Sequence, residues 1–209
     1  LVQIQHGLPF IVISANTGIE HFRESGQVLG FSSMTLQSPK NHFTLFALPV
    51  SFDIDVAALD RAYRELQREV HPDRFAAASA IEQRMAAERA TDANAAYRTL
   101  KSPLARGRHV LHLNGVDTEE ESNTAMPPGF LIQQLEWREA VVEARARNDV
   151  DALNTIASTI RDHERALVAE LRAQLNGADF LSAKQTVRKL RFIEKLAEEI
   201  GDAQQAVGG

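Results

Sequence analysis

The sequence predicts an all-α protein in which a helical hairpin with short flanking helices precedes a three-helix bundle. Three observations carry that prediction. Apolar residues recur at alternating spacings of three and four along several long segments, as they do on helices that bury one face. Composition agrees: only 6% of residues are aromatic and 7 are proline, while Ala, Leu, Glu and Arg dominate the second half. Finally, the patterned segments begin and end at residues suited to helix termini, such as Ser79, Ser102, Asp149 and Asn176-Gly177.

Length and charge narrow the function classes. A chain of 209 residues holds one large domain or two small ones. There are no cysteines, which excludes disulfides and thiolate metal sites and suits a reducing, cytoplasmic setting. No apolar run approaches the roughly 20 residues of a membrane span, so no membrane partner is expected. The net charge of −5 argues against a nucleic-acid binder that works by neutralising phosphates. Residues 41–115 carry 10 Lys+Arg against 9 Asp+Glu, whereas residues 116–209 carry 11 against 17. The acidic second half is therefore expected to meet a different partner from the first.

Residues 1–40 lack helical periodicity and mix Gly7, Gly18, Gly26 and Gly30 with short apolar runs such as Phe10-Ile11-Val12-Ile13. They are expected to form a poorly structured extension, with Met34 as the working start. They lack the basic stretch and longer apolar core of a signal peptide and are poor in the arginine of other targeting segments.

The first unit is placed at residues 41–115. Phe43 to Leu48 is a short apolar segment closed by Pro49, long enough for one or two helical turns. Asp53 and Asp55 offer N-caps to a helix whose seam is Val56, Leu59, Tyr63, Leu66 and Val70. Arg61, Arg64 and Arg68 share a second face of that helix, a pattern that suits a solvated surface as well as a docking one. Pro72 ends the helix, because its ring disfavours the helical conformation at His71 and it has no N–H to donate. His71 and Asp73 are thereby presented at a helix end. Ser79-Ala80-Ile81-Glu82 matches a capping box and opens a helix with Ala86, Ala90, Ala93, Tyr97 and Leu100 facing inward. Small alanines opposite larger side chains let two antiparallel helices approach closely. Ser102-Pro103 then provides the N-cap and first residue of a further short helix.

A short helix, an arginine-faced helix, His71-Pro72-Asp73 in the connection and an alanine-lined antiparallel helix together resemble a J domain. The resemblance implies that His71, Pro72 and Asp73 trigger ATP hydrolysis by a chaperone of the DnaK class. It further implies that Arg61, Arg64 and Arg68 form the docking face. A basic stripe meeting an acidic surface speeds encounter and sets orientation.

Residues 116–128, acidic and then proline-rich, are expected to be a linker, with a C-terminal domain over 129–209. Three helices are expected there: Phe130 to about Arg147, Val150 to Leu175, and Asp179 to about Ile200. The middle one has a single seam of Leu153, Ile156, Ile160, His163, Leu167 and Leu171. His163 there, and the pair His109 and His112, are expected to serve packing and surface instead of a metal, for no ligand cluster accompanies them. The first of the three has two apolar stripes. Phe130, Trp137, Ala140, Val141 and Ala144 suit the bundle core. Leu131, Ile132, Leu135 and Val142, beside Glu136, Glu139 and Glu143, suit either a protein-binding face or packing against the first unit. On the third helix Ala183, Val187, Leu190, Ile193, Ala197 and Ile200 cluster on one side. Phe192 falls almost opposite, among Arg188, Lys195 and Glu199.

Phe130-Leu131-Ile132-Gln133-Gln134-Leu135-Glu136 with Arg138-Glu139, and Val187-Arg188-Lys189-Leu190-Arg191-Phe192, resemble the HscB family of J-type co-chaperones of iron–sulfur cluster assembly. The resemblance spans about residues 41–200 and includes Phe43-Thr44-Leu45-Phe46, Leu48 and Pro49. It implies a non-enzymatic co-chaperone with no cofactor of its own. Its partners would be an HscA-like ATPase and an IscU-like cluster scaffold, the latter held by Leu131, Ile132, Leu135, Glu136, Glu139, Glu143 and Phe192. Arg74 stands where many members have Lys, and Trp137 where an aliphatic residue is usual. The alternative keeps the J domain but makes the C-terminal bundle a dimerisation or general client-binding module. A hydrolase built on His71 and Asp73 is disfavoured, since the sequence offers neither a nucleophile elbow nor a Gly-rich phosphate loop.

Overall fold

The computed structural model describes residues 41–119 and 126–208. The expectations for residues 1–40, Met34 included, and for residues 120–125 lie outside the described residues. Among the described residues seven α-helices follow one another: α1 (His42–Leu45), α2 (Val56–Glu69), α3 (Ala80–Lys101), α4 (Pro103–Leu113), α5 (Pro128–Ala146), α6 (Val150–Asn176) and α7 (Phe180–Gly208). A 3-10 turn, Pro72–Phe75, joins α2 to α3, and the described residues contain no strand.

The local chemistry of each terminus explains where the helices stop and start. Asn41 caps α1 by accepting the Phe43 N–H, and α1 closes when Leu48 N–H returns to the Phe43 carbonyl at 3.0 Å, past a left-handed Ala47 (φ 51°). Of the two candidate caps for α2, Asp55 takes the role, accepting the N–H groups of Ala57 (2.8 Å) and Ala58 (3.1 Å). Asp53 turns instead toward α6. The capping box at α3 is complete: Glu82 N–H donates to Ser79 Oγ, and Ser79 N–H and Oγ donate to Glu82 Oε2. Those two bonds, the hydroxyl's first, hold the Glu82 carboxyl below its usual range. Ser102, Asp149 and Asp179 cap α4, α6 and α7 through the N–H groups of Ala105, Ala152 and Ser182. At the end of α6 the left-handed residue is Ala178 (φ 55°), whereas Gly177 keeps an ordinary φ of −85°.

In the hairpin, Leu59 and Leu66 of α2 and Val70 at its end share one buried cluster with Ala93, Ala96 and Leu100 of α3, where Ala86 is buried too. Val56 departs from the expected seam and is exposed, because it is the first residue of α2 and precedes the zone of packing. Tyr63 and Tyr97 stack at 4.0 Å across the two helices. In the bundle, Val141, Ala144, Leu153, Ala157, Ile160, Ile193, Leu196, Ile200 and Ala203 form one apolar cluster. On α7 Leu196 is buried and Ala197 exposed, so the inward face is turned by one residue from the expected pattern there.

A second cluster joins the two halves of the chain. Leu171, Leu175, Ala183, Val187 and Leu190 of α6 and α7 share a core with Phe43, Phe52, Leu59, Leu100 and Leu111. Close approach is possible because α4 carries Gly107: a Cβ there would stand 2.7 Å from Leu171 Cδ2. Polar contacts frame this core. Arg172 Nε lies 2.6 Å from Asp53 Oδ1, and Asn176 Nδ2 donates to Asp53 Oδ2. Arg106 donates to the Leu100 carbonyl at 2.6 Å and lays its guanidinium over the Phe52 ring.

Candidate functional site

Two exposed surfaces gather the residues singled out by sequence. The first is built around the turn after α2. Pro72 takes the first position of the 3-10 turn and His71 its N-cap, with Nδ1 accepting the Asp73 N–H at 3.3 Å. Asp73 Oδ2 lies 3.5 Å from the same nitrogen. The imidazole and carboxylate are thus held beside each other while both remain accessible, with side-chain exposures of 58% and 90%. Arg74 Nη1 reaches back to the Arg68 carbonyl at 3.4 Å and so ties the turn to the end of α2.

Arg61, Arg64 and Arg68 all lie exposed on α2. Arg61 stands 3.7 Å from Asp55, an open pair in solvent. The flank of α2 next to Arg64 is braced against α3. Tyr97 Oη and Lys101 Nζ both donate to Asp60 Oδ1, at 3.0 and 2.6 Å, and the lysine bond, then the tyrosine bond, hold the Asp60 carboxyl below its ordinary value. Tyr63 Oη and Gln67 Nε2 donate to Asn94 Oδ1 at 2.7 and 2.9 Å. This brace fixes the rotation of α2 and thereby the direction of its basic face. Sequence reasoning missed it, because polar partners 27 to 41 residues apart leave no periodic signal.

The second surface is the outer face of α5. Leu131, Ile132, Leu135 and Val142 are 40%, 58%, 60% and 68% exposed. Among the two readings of this stripe, packing against the first unit does not occur in the described residues. The opposite face of α5 is occupied: Val141 and Ala144 are buried, Phe130 and Trp137 pack on the bundle core, and Trp137 meets His163 edge-on at 4.7 Å. A fork from Arg138 Nε and Nη2 to the Glu199 carboxylate, both at 3.2 Å, locks α5 to α7. Glu136 and Glu139 are exposed on the rim, while Glu143 is already engaged by Arg147 at 2.5 Å.

Phe192 is not the lone aromatic that the helical wheel suggested. It is half-buried and meets Phe130 edge-to-face at 6.5 Å, which brings it to the beginning of the α5 stripe. Its expected neighbour Arg188 is no surface residue either. That side chain is buried, donating from Nε to the Thr118 carbonyl (2.8 Å) and from Nη2 to Glu119 (2.9 Å), and Lys184 adds a second ion pair to Glu119. The wheel cannot anticipate this, because the partner arrives from a segment some 70 residues earlier.

His109 was expected to serve packing, and it is buried, its Nε2 accepting the His42 N–H at 3.2 Å while the two imidazoles stack at 4.3 Å. Loss of solvation, then the charges of His42 and His112, push it down to about 4. Among the described residues no three His, Cys, Asp or Glu side chains are arranged to hold a metal ion, and no helix is long and apolar enough to cross a membrane.

Comparison with known proteins places these surfaces in context. Residues 126–201 match the family model described as the HSCB C-terminal oligomerisation domain. The chain is 50% identical over 161 residues to a co-chaperone protein HscB homolog of Paraburkholderia phymatum, an alignment covering 77% of this chain and 92% of that protein. The Burkholderia multivorans homolog gives the same identity and coverage. Among solved structures, the chaperone HscB from Vibrio cholerae superposes with a TM-score of 0.71 at 36% identity, over 80% of this chain and 99% of that one. The human co-chaperone protein HscB gives 0.73 at 31% identity, over 78% and 81%.

Proposed function

Because the chain belongs to the HscB family of co-chaperones, we propose that it couples an HscA-like ATPase to an IscU-like iron–sulfur scaffold in the cytoplasm. In this reading residues 41–115 are a J domain, residues 116–128 a linker and residues 129–209 the scaffold-binding domain. His71, Pro72 and Asp73, with Arg61, Arg64 and Arg68 beside them, engage the ATPase and stimulate hydrolysis. Leu131, Ile132, Leu135, Glu136, Glu139, Glu143 and Phe192 hold the scaffold. The cluster belongs to the scaffold, since this chain has no thiolate to bind it.

One observation supports the assignment above others. The three leucine and isoleucine side chains at the start of α5 stay uncovered on a helix whose other face already fills a core. Large apolar side chains grouped in this way suit a partner protein. Holding the scaffold on the same chain as the J domain raises its effective concentration at the chaperone without a tight contact between those two.

The test is ATP hydrolysis by the HscA-like chaperone in the presence of scaffold, with this protein or its His71→Gln variant added. Stimulation should occur with the wild type and disappear with the variant, while scaffold binding stays unchanged. Equal rates with both proteins would remove the J-domain role.

The description of the matched family model as an oligomerisation domain favours a second reading, in which the C-terminal bundle self-associates. Sedimentation at micromolar concentration separates the two. A dimer that scaffold does not perturb supports the second, and a monomer that forms a one-to-one complex with scaffold supports the first.

A further inference from the structure

The acid beside the basic face of α2 is taken by another helix. Asp60 and Arg64 stand four residues apart on α2 with the acid first, the spacing and order at which a helix pairs opposite charges well. In the structure they form no ion pair. Asp60 Oδ1 instead accepts Lys101 Nζ at 2.6 Å and Tyr97 Oη at 3.0 Å. Lys101 is the last residue of α3, and its ammonium also lies over the Tyr97 ring, 5.6 Å from the centroid. Asp60 thus sits in a closed triad, its side chain only 29% exposed and so partly sheltered from solvent. The lysine bond and then the tyrosine bond hold its carboxyl below the ordinary value, and among the groups that do so the charge of Arg64 counts least. Among the described residues Arg64 and Arg68 make no ion pair, and Arg61 has only the open contact with Asp55 at 3.7 Å.

Resting on the reading of this face as the chaperone-docking surface, we propose that Lys101 and Tyr97 are positioning residues for that docking. By saturating Asp60 they keep Arg64 from folding down onto its own helix and leave its guanidinium available to an acidic partner surface. A guanidinium tied to Asp60 would have to break that pair before meeting the partner, and the face would present one cation fewer. Lysine suits the task, since an ammonium on a flexible stem satisfies one carboxylate oxygen without the fixed fork of an arginine. Local sequence gives the opposite expectation, a self-paired Asp60 and Arg64, because Lys101 lies 41 residues from its acid.

The test follows ATP hydrolysis by the HscA-like chaperone against the concentration of the full chain, at low salt, where such charges are least screened. Lys101→Met should raise the concentration for half-maximal stimulation about threefold, the scale of one exposed ion pair. The maximal rate should stay unchanged, because the turn at residues 71–73 is untouched. Adding Asp60→Asn to Lys101→Met should return the half-maximal concentration to the wild-type value. Arg64→Ala should weaken stimulation in the wild type and add almost nothing to Lys101→Met. A double variant as weak as Lys101→Met would mean that the triad only braces the helices. A full additional loss from Arg64→Ala in the Lys101→Met chain would mean that Arg64 is not captured; either result overturns the proposal. So does a Lys101→Met chain that matches the wild type while Arg64→Ala is weakened, an outcome that leaves the docking reading intact. If Arg64→Ala stimulates as the wild type does, the docking reading of Arg64 fails and the proposal falls with it.

Discussion

His109 and His71 show how one residue type is put to opposite uses by burial. His71 is exposed and accepts a backbone hydrogen bond in a proline turn, free to meet a partner. His109 is buried as an acceptor for the His42 N–H, so it must stay neutral for α1 to remain docked. Its folded value of about 4 lies below the 6.5 of a free imidazole, so the unfolded chain takes up a proton first as pH falls. Its contribution to stability is complete above about pH 6.5 and is lost progressively between there and about pH 4, on the order of 3 kcal/mol for this one group. Urea unfolding at several pH values across that window measures the loss. His109→Gln, which retains an acceptor but cannot charge, should lack this share of it. The tripeptide at residues 71–73 was legible from sequence because a proline turn declares itself locally. The role of His109 was not, because its partner lies 67 residues away.

At the scale of elements, helix boundaries followed from capping residues, and Ser79, Ser102, Asp149 and Asp179 sit where their chemistry requires. Two helices carry more than their own packing. The contact between α4 and α6 depends on the missing side chain of Gly107, since even a Cβ would meet Leu171 Cδ2 at 2.7 Å. Gly107→Val should therefore destabilise by about 1–3 kcal/mol through overpacking, despite replacing a weak helix former, and denaturant unfolding would show it. On α5 the two opposed stripes were legible on the helical wheel. Which was buried followed from the size of Phe130 and Trp137. That the other stays open was decided by the fork between Arg138 and Glu199 and by the absence of any described residue over it.

At the scale of the molecule, one shared core links residues 43–111 to α6 and α7. Leu171 sits in a cluster contributed by α1, α2, α3, α4, α6 and α7. Leu171→Ala should cost about 2–5 kcal/mol, and its effect should reach both halves. Fluorescence of the single tryptophan, Trp137, reports the bundle, whereas the stacked Tyr63 and Tyr97 report the hairpin in near-ultraviolet dichroism. Both signals should shift together in one transition, as a common core requires. Two transitions with separate midpoints would show that the halves unfold independently. The common core places the turn at residues 71–73 and the α5 stripe on one folded body.

By itself the sequence determined the helical class, the order and most of the ends of the helices, the exposed turn at residues 71–73 and the two-sided character of α5. These depend on neighbours within a few turns, and periodicity, caps and proline report such neighbours directly. Only the tertiary structure decided that Arg188 is buried on Thr118 and Glu119, that Phe192 rests on Phe130, that Asp53 serves Arg172 in place of a helix cap, and that one core joins both halves. Each of these is a contact between segments far apart in the chain. Its free energy depends on geometry that no local pattern encodes, so it appears only when the helices have packed.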